Sequence, residues 1–262
     1  MEFRIEKGIV AFLMLCGVAL AQPFTFEVRH QHLRGGATGV LRIGEESITF
    51  EESKDGKHSR EWKYTDIQQL SLSPAELRIL TYEDRKWQLG RDRDFVFDRL
   101  PEGLAKQAAP LFQRALGQRF IAELADPDMQ AEWQMAAKLR HGLRGSEGVL
   151  LIGADRIVYQ SKTAGESRTW RFDDIDNIAT AGLFDLSITT LERSAWRHAG
   201  PTEFRFQLKQ PLGEDRYNEL WRRIYRAQRF VSNDKTVPAA QSITTSSDIQ
   251  PDRPTPQDSN RW

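Results

Sequence analysis

Five histidines, two repeated aspartates and a run of arginines are the residues of this chain whose types and spacing could do chemistry. The histidines are His30, His32, His58, His141 and His198. In His30-Gln31-His32 both imidazoles fall on one face of an extended strand, because alternate residues share a face. A metal site needs more than that pair: converging carboxylates or further imidazoles. The related stretch Arg140-His141-Gly142-Leu143 has a leucine where the second ring would stand. His30 and His141 each follow an arginine, and both are assigned as candidate partner contacts rather than ligands.

Asp66 and Asp174 each precede an isoleucine at matched places. A pair of carboxylates can share acid–base work, but an aspartate before a strand more simply accepts backbone N–H groups and holds a turn. Serine nucleophile elbows, phosphate-cradling glycine loops and His-Glu-x-x-His helices do not occur. The sole cysteine is Cys16, which leaves the chain beyond it without a thiolate. Near the C-terminus, Tyr217, Leu220, Trp221, Ile224 and Tyr225 follow helical spacing and predict one apolar stripe. The opposite face carries Arg216, Arg222, Arg223 and Arg226. Arg222, Arg223 and Arg226 are assigned as candidate contacts for an acidic partner. No catalytic, cofactor-binding or metal-binding residue is assigned.

These residues sit in a chain that repeats itself. Gly39-Val40-Leu41-Arg42-Ile43-Gly44 returns as Gly148-Val149-Leu150-Leu151-Ile152-Gly153, and Ser59–Ile67 returns as Ser167–Ile175. The offset is 109 in the first block and 108 in the second, and the changes of register fall where loops are expected. Each copy reads as short strands of alternating polarity. Asp55-Gly56 and Ala164-Gly165 are read as hairpin turns. Trp62 and Trp170, with Trp87 and Trp196, are read as core or cross-strand packing. A helix closes each copy: Pro101 suits its first position in copy one, and Pro110 should interrupt it.

The expected boundaries are a signal peptide at 1–21, copy one at 24–116, a linker at 117–132, copy two at 133–231 and a disordered tail at 232–262. Phe120, Ile121 and Leu124 suggest that the linker packs against something. The run Gly8–Leu20 is short of the roughly 20 residues that span a bilayer, and Ala19-Leu20-Ala21 suits cleavage after Ala21. Export to the periplasm or outside of a bacterium is therefore expected. Lysine plus arginine equal aspartate plus glutamate at 37 each. That balance weighs against a nucleic-acid binder and does not support a grip on an anionic membrane.

The pattern Gly-Val-Leu-x-Ile-Gly, then Ile-x-Phe/Tyr, then a hairpin, then a strand ending in Asp-Ile resembles the GRAM branch of the pleckstrin-homology-like proteins. The matching positions are Gly39, Leu41, Ile43, Ile48, Phe50 and Asp66-Ile67, and Gly148, Leu150, Ile152, Ile157, Tyr159 and Asp174-Ile175. The resemblance implies a mainly β fold with C-terminal helices (β+α): two PH/GRAM-like small β-barrels, each of about seven strands closed by one helix, before the tail. The fold serves many functions, and the mixed charges of Glu51–Lys57 do not support headgroup binding. The reading is a non-catalytic binding or scaffolding protein of the cell envelope, without a cofactor. A protein or other envelope component is its partner, held in a groove between the copies or along a sheet edge. A metal-dependent or hydrolytic envelope enzyme and a lipid-interacting protein are the alternatives.

Overall fold

The computed structural model describes residues 23–32, 35–85, 88–141, 144–192 and 201–234. Copy one supplies β1 (Phe24–His32), β2 (Gly35–Ile43), β3 (Ser47–Glu52), β4 (Arg60–Lys63), β5 (Ile67–Leu72), β6 (Glu76–Arg85), β7 (Gln88–Asp98) and helix α1 (Leu104–Leu116). The joining segment supplies β8 (Phe120–Ala122). Copy two supplies β9 (Trp133–His141), β10 (Arg144–Ile152), β11 (Arg156–Ser161), β12 (Arg168–Arg171), β13 (Ile175–Ala179), β14 (Asp185–Thr190), β15 (Thr202–Leu208) and α2 (Glu214–Asp234). Trp87, Trp196, His198, the signal segment and residues 235–262 lie outside the described residues. Helix α2 runs to Asp234, three residues into the stretch expected as tail.

The chain is β-rich, but the expected pair of helix-closed barrels is not what forms. All fifteen strands belong to one mixed sheet in the order β13-β14-β15-β9-β10-β11-β12-β8-β5-β6-β7-β1-β2-β3-β4. Closing the first seven strands would need β4 to pair with β5, and closing the second seven would need β12 to pair with β13. A 3₁₀ turn at Tyr64–Asp66, and its counterpart at Phe172–Asp174, swings the chain between those strands without a ladder. The edges left bare by the turns are joined by β8. It runs parallel to β5 at Leu70↔Phe120, Ser71↔Ile121 and Leu72↔Ala122, and antiparallel to β12 at Thr169↔Ala122. Unpaired backbone groups in a packed region are costly, so a short apolar linker at two open edges becomes a strand.

Each run of seven strands keeps its own core. Leu41, Ile43, Ile48, Phe50, Trp62, Ile67, Phe97 and Phe112 anchor the first. Leu150, Ile152, Ile157, Tyr159, Trp170, Ile175, Phe206, Leu220 and Ile224 anchor the second. Trp62 and Trp170 are packed as expected, and each meets two phenylalanine rings. The turn glycines Gly56 and Gly165 have φ of +66° and +79°, which side-chain-bearing residues rarely adopt. Gly39 and Gly148 are required for a different reason. A Cβ there would lie 2.1 Å and 2.3 Å from the carbonyl oxygens of Glu51 and Gln160, and under 3 Å from the rings of Phe50 and Tyr159.

The helices depart from expectation in detail. Helix α1 starts at Leu104 after Gly103, past Pro101, and runs unbroken through Pro110. It buries Leu104, Ala108, Leu111, Phe112 and Leu116. In α2 the apolar stripe is narrower than the spacing implied. Leu220 and Ile224 are buried, whereas Trp221 and Tyr225 are exposed and stack on one another with ring centroids 5.2 Å apart.

Gly39→Ala and Gly148→Ala are expected to cost about 1–3 kcal/mol each in urea denaturation, the usual penalty of forcing an extra methyl into a packed site. Phe120→Ala, which empties a buried contact with Phe112 (centroids 5.7 Å), is expected to cost about 3–5 kcal/mol. Because Phe120 lies on the strand that joins the halves, calorimetry should then resolve two transitions.

Candidate functional site

A cavity with a volume of about 440 Å³ lies at the seam. Strand β8 forms part of it with Phe120, Ile121 and Ala122. Copy one contributes Gln68, Gln69 and Tyr82, and copy two contributes Trp170, Asp173, Asp174, Asp176, Leu191 and Glu192. Tyr82 and Leu191 hold equivalent positions, one residue beyond Thr81 and Thr190, which pair with Ile67 and Ile175. They are 60% and 67% exposed. The internal repeat thus places two bare apolar side chains on the lip of one cleft.

The cleft is held together by side chains that satisfy strand-end carbonyls. Arg119 donates to the backbone oxygens of Tyr64 at 3.1 Å and Ile67 at 2.5 Å. Gln118 reaches across the seam to the backbone oxygen of Asp173. Gln228 of α2 donates to the carbonyls of Ile175 at 2.6 Å and Asp176 at 2.8 Å.

Its carboxyl groups come almost entirely from copy two. Glu192 accepts from Trp170 Nε1 at 3.2 Å and pairs with Arg168 at 3.2 Å. Arg168 also pairs with Glu123 at 3.1 Å. Burial pushes the Glu192 carboxyl above the usual carboxylate range, against the pull of Arg168. Asp174 accepts from the backbone N–H of Arg171 at 3.2 Å and lies 3.5 Å from its Nε. Burial raises Asp174 to about 6, with Arg171 opposing, and its Oδ1 has no partner. Asp173 pairs with Arg171. The expected turn-holding role is therefore seen at Asp174. Asp66 does not share it: it is exposed, and its carboxylate accepts from the Thr65 hydroxyl at 3.3 Å.

Copy one repeats the arrangement without the burial. Arg60 pairs with Glu83, as Arg168 does with Glu192. Trp62 Nε1 is buried with no partner, where Trp170 Nε1 has Glu192.

The residues assigned from sequence do not converge on the seam. Arg222 and Arg226 are exposed on α2. Arg223 is half-buried and pairs with Glu132 at 2.5 Å and with Glu219, so it ties the helix to the segment before β9. His30 is buried in copy one, and His141 is exposed in copy two. Their expected equivalence fails. His30 pairs with Ala37 and Phe97, which corresponds to Leu139 with Ser146 and Phe206. It is His32, opposite Gly35, that corresponds to His141, opposite Arg144. Among the described residues no three His, Cys, Asp or Glu side chains stand so as to hold a metal ion. No described helix is long and apolar enough to cross a membrane. Of the seam carboxyls only Asp174 is singled out from the sequence; Glu192 reaches Asp173, Asp174 and Asp176 only through the pairing of β13 with β14.

No family model matches this chain, and no curated protein matches it. Among the solved structures that are similar in part are two. One is the C-terminal domain of an unknown protein from Leishmania infantum, 16% identical over 37% of this chain and 84% of that chain, with a TM-score of 0.28. The other is the Spt16D–Pob3N heterodimer, 14% identical over 72% of this chain and 98% of that chain, with a TM-score of 0.32. Scores this low carry no argument about function.

Asp174 has a testable signature. Its pKa is raised from the ordinary 3.8 to about 6 in the folded chain. The stability tied to its neutral form is present below pH ~4 and is lost as pH rises through about 6, by up to about 3 kcal/mol. Asp174→Asn keeps a cap acceptor without the charge. Compared with the parent in urea at pH 4 and pH 7, it should gain relative stability only at pH 7.

Proposed function

We propose that this chain is a non-catalytic binding or scaffolding protein of the bacterial cell envelope that receives a protein partner in the seam cleft. The observation that carries the reading is the pairing of Tyr82 and Leu191, exposed and equivalent by repeat, on the lip of one cavity. Large apolar side chains left bare around a concavity favour burial by a partner. The GRAM-like strand signature supports kinship of each seven-strand half with that module, opened into the common sheet. Export rests on the N-terminal segment, and the envelope setting follows from it.

The chemistry of the cleft favours recognition over reaction. Asp173, Asp174 and Glu192 are each engaged by Arg171 or Arg168. These pairings fix the carboxylates in place at the lining. Copy two brings four carboxyl groups to the lining, three of them paired with Arg168 or Arg171 and the fourth that of Asp176. The cleft therefore suits a protein segment that presents lysine or arginine among apolar side chains.

The test is site-specific photo-crosslinking in the native envelope, with the reactive residue at position 82 or 191 and a control at Phe184, an exposed residue outside the cleft lining. One adduct common to 82 and 191, missing at 184 and weakened by Asp176→Lys, is expected. An adduct pattern common to all three positions, or one indifferent to Asp176→Lys, would overturn the reading.

A further inference from the structure

Copy one contains a cluster of rings that copy two replaces. His30 is 6% exposed and packs against Phe50, Phe95 and Phe97, with centroids 5.6, 5.8 and 4.9 Å away. The His32 ring lies 4.2 Å from that of His30. His58, on the turn between β3 and β4, lies 3.9 Å from His32 and 6.4 Å from His30. His30 Nδ1 and His32 Nε2 are buried without a hydrogen-bond partner.

The equivalent positions in copy two are Leu139, His141 and Glu166. Ser59 and Ser167 confirm the match, since each accepts the backbone N–H of the equivalent residue on the strand before it, Glu52 and Ser161. There His141 Nε2 lies 3.9 Å from Glu166 Oε2. One frame thus holds three imidazoles in copy one, and a leucine with a histidine–carboxylate pair in copy two.

We propose that His30, His32 and His58 form an acid-operated fastening, which holds the β3–β4 turn against β1 when the rings are neutral and releases it when they are protonated. Neutral imidazoles pack as aromatic surface. Imidazolium ions at these separations repel, and a buried one is desolvated as well. The charged groups around the cluster do little to relieve this. Strand β3 offers the carboxylate of Glu52, which favours protonation of His32. Strand β7 offers Arg93, which opposes protonation of His30. Strand β4 sets Arg60 over the Phe95 ring at 4.9 Å, and Glu83 of β6 pairs with both arginines. The β2 residues opposite, Gly35 and Ala37, are uncharged.

Burial first, then the charges of His32, His58 and Arg93, push His30 down from 6.5 to about 4. Burial and His58 push His32 down against Glu52. Both folded values lie below the unfolded one, so the contribution is complete above pH ~6.5 and is lost as pH falls toward 4.

The test is amide hydrogen exchange of the full chain from pH 7 to pH 4.5, read as protection factors over Glu52–Arg60. For the parent, protection should fall about tenfold per pH unit for each proton taken up below 6.5. His30→Leu installs the residue of copy two and should flatten this slope. His58→Glu changes only the exposed turn and should keep the segment protected in acid, so it decides the matter if His30→Leu does not fold. Protection independent of pH, or an equal slope in parent and His58→Glu, overturns the proposal. Zinc that protects the same amides at pH 7 in the parent but not in His58→Glu also overturns it, by making the cluster a metal site.

Discussion

Backbone groups at a strand edge must find partners, and that requirement governs this molecule. The two 3₁₀ turns leave β5 and β12 with unpaired edges in the middle of the chain. Strand β8 is only three residues long, yet it ladders with both. Its Phe120 packs against Phe112 of α1, which ties the edge repair to the first core. The outer edge at β13 is handled differently. Side chains of α2 take its carbonyls: Gln228 those of Ile175 and Asp176, and the Tyr217 hydroxyl that of Ile178 at 3.1 Å. The outer edge at β4 is four residues long and carries Glu61 and Lys63, features that discourage further pairing.

Over this frame the two copies differ at a few polar places. Phe50 and Ala37 in copy one become Tyr159 and Ser146 in copy two, and the Tyr159 hydroxyl bonds to the backbone oxygen of Ser146 at 2.6 Å. His30 becomes Leu139. Polarity has therefore moved across the sheet from one copy to the other while the apolar frame stayed constant. Burial sets the consequence. Arg60–Glu83 is a surface pair of the kind worth little, whereas Arg168–Glu192 is enclosed beside the seam, where an unpaired charge would be costly.

Much of the local structure was legible in the chain. Gly56 and Gly165 marked turns, and Trp62 and Trp170 marked the cores, whereas the mid-strand approach of Gly39 and Gly148 to the rings of Phe50 and Tyr159 was visible only in the structure. Other features were not. The pairing of His30 with His141 was out by two residues, because a shift of two keeps every side chain on its own face and leaves the alternation unchanged. Asp66 and Asp174 look alike in sequence, yet only Asp174 is enclosed by the seam. Trp221 and Tyr225 fit a helical stripe, but a helix buries only the part of a stripe that its neighbours cover.

The sequence by itself determined the repeat, the β-rich character, the turns and the apolar members of each core. These depend on residue type and short-range spacing, which the chain carries locally. The tertiary structure alone decided that the sheets would not close, that the linker would become the joining strand, and that Tyr82 and Leu191 would flank one cleft with copy-two carboxyls. It also decided that three histidines from a strand and a turn would cluster. Each of these outcomes depends on which edge meets which, and that is settled by backbone pairing between segments far apart in the chain.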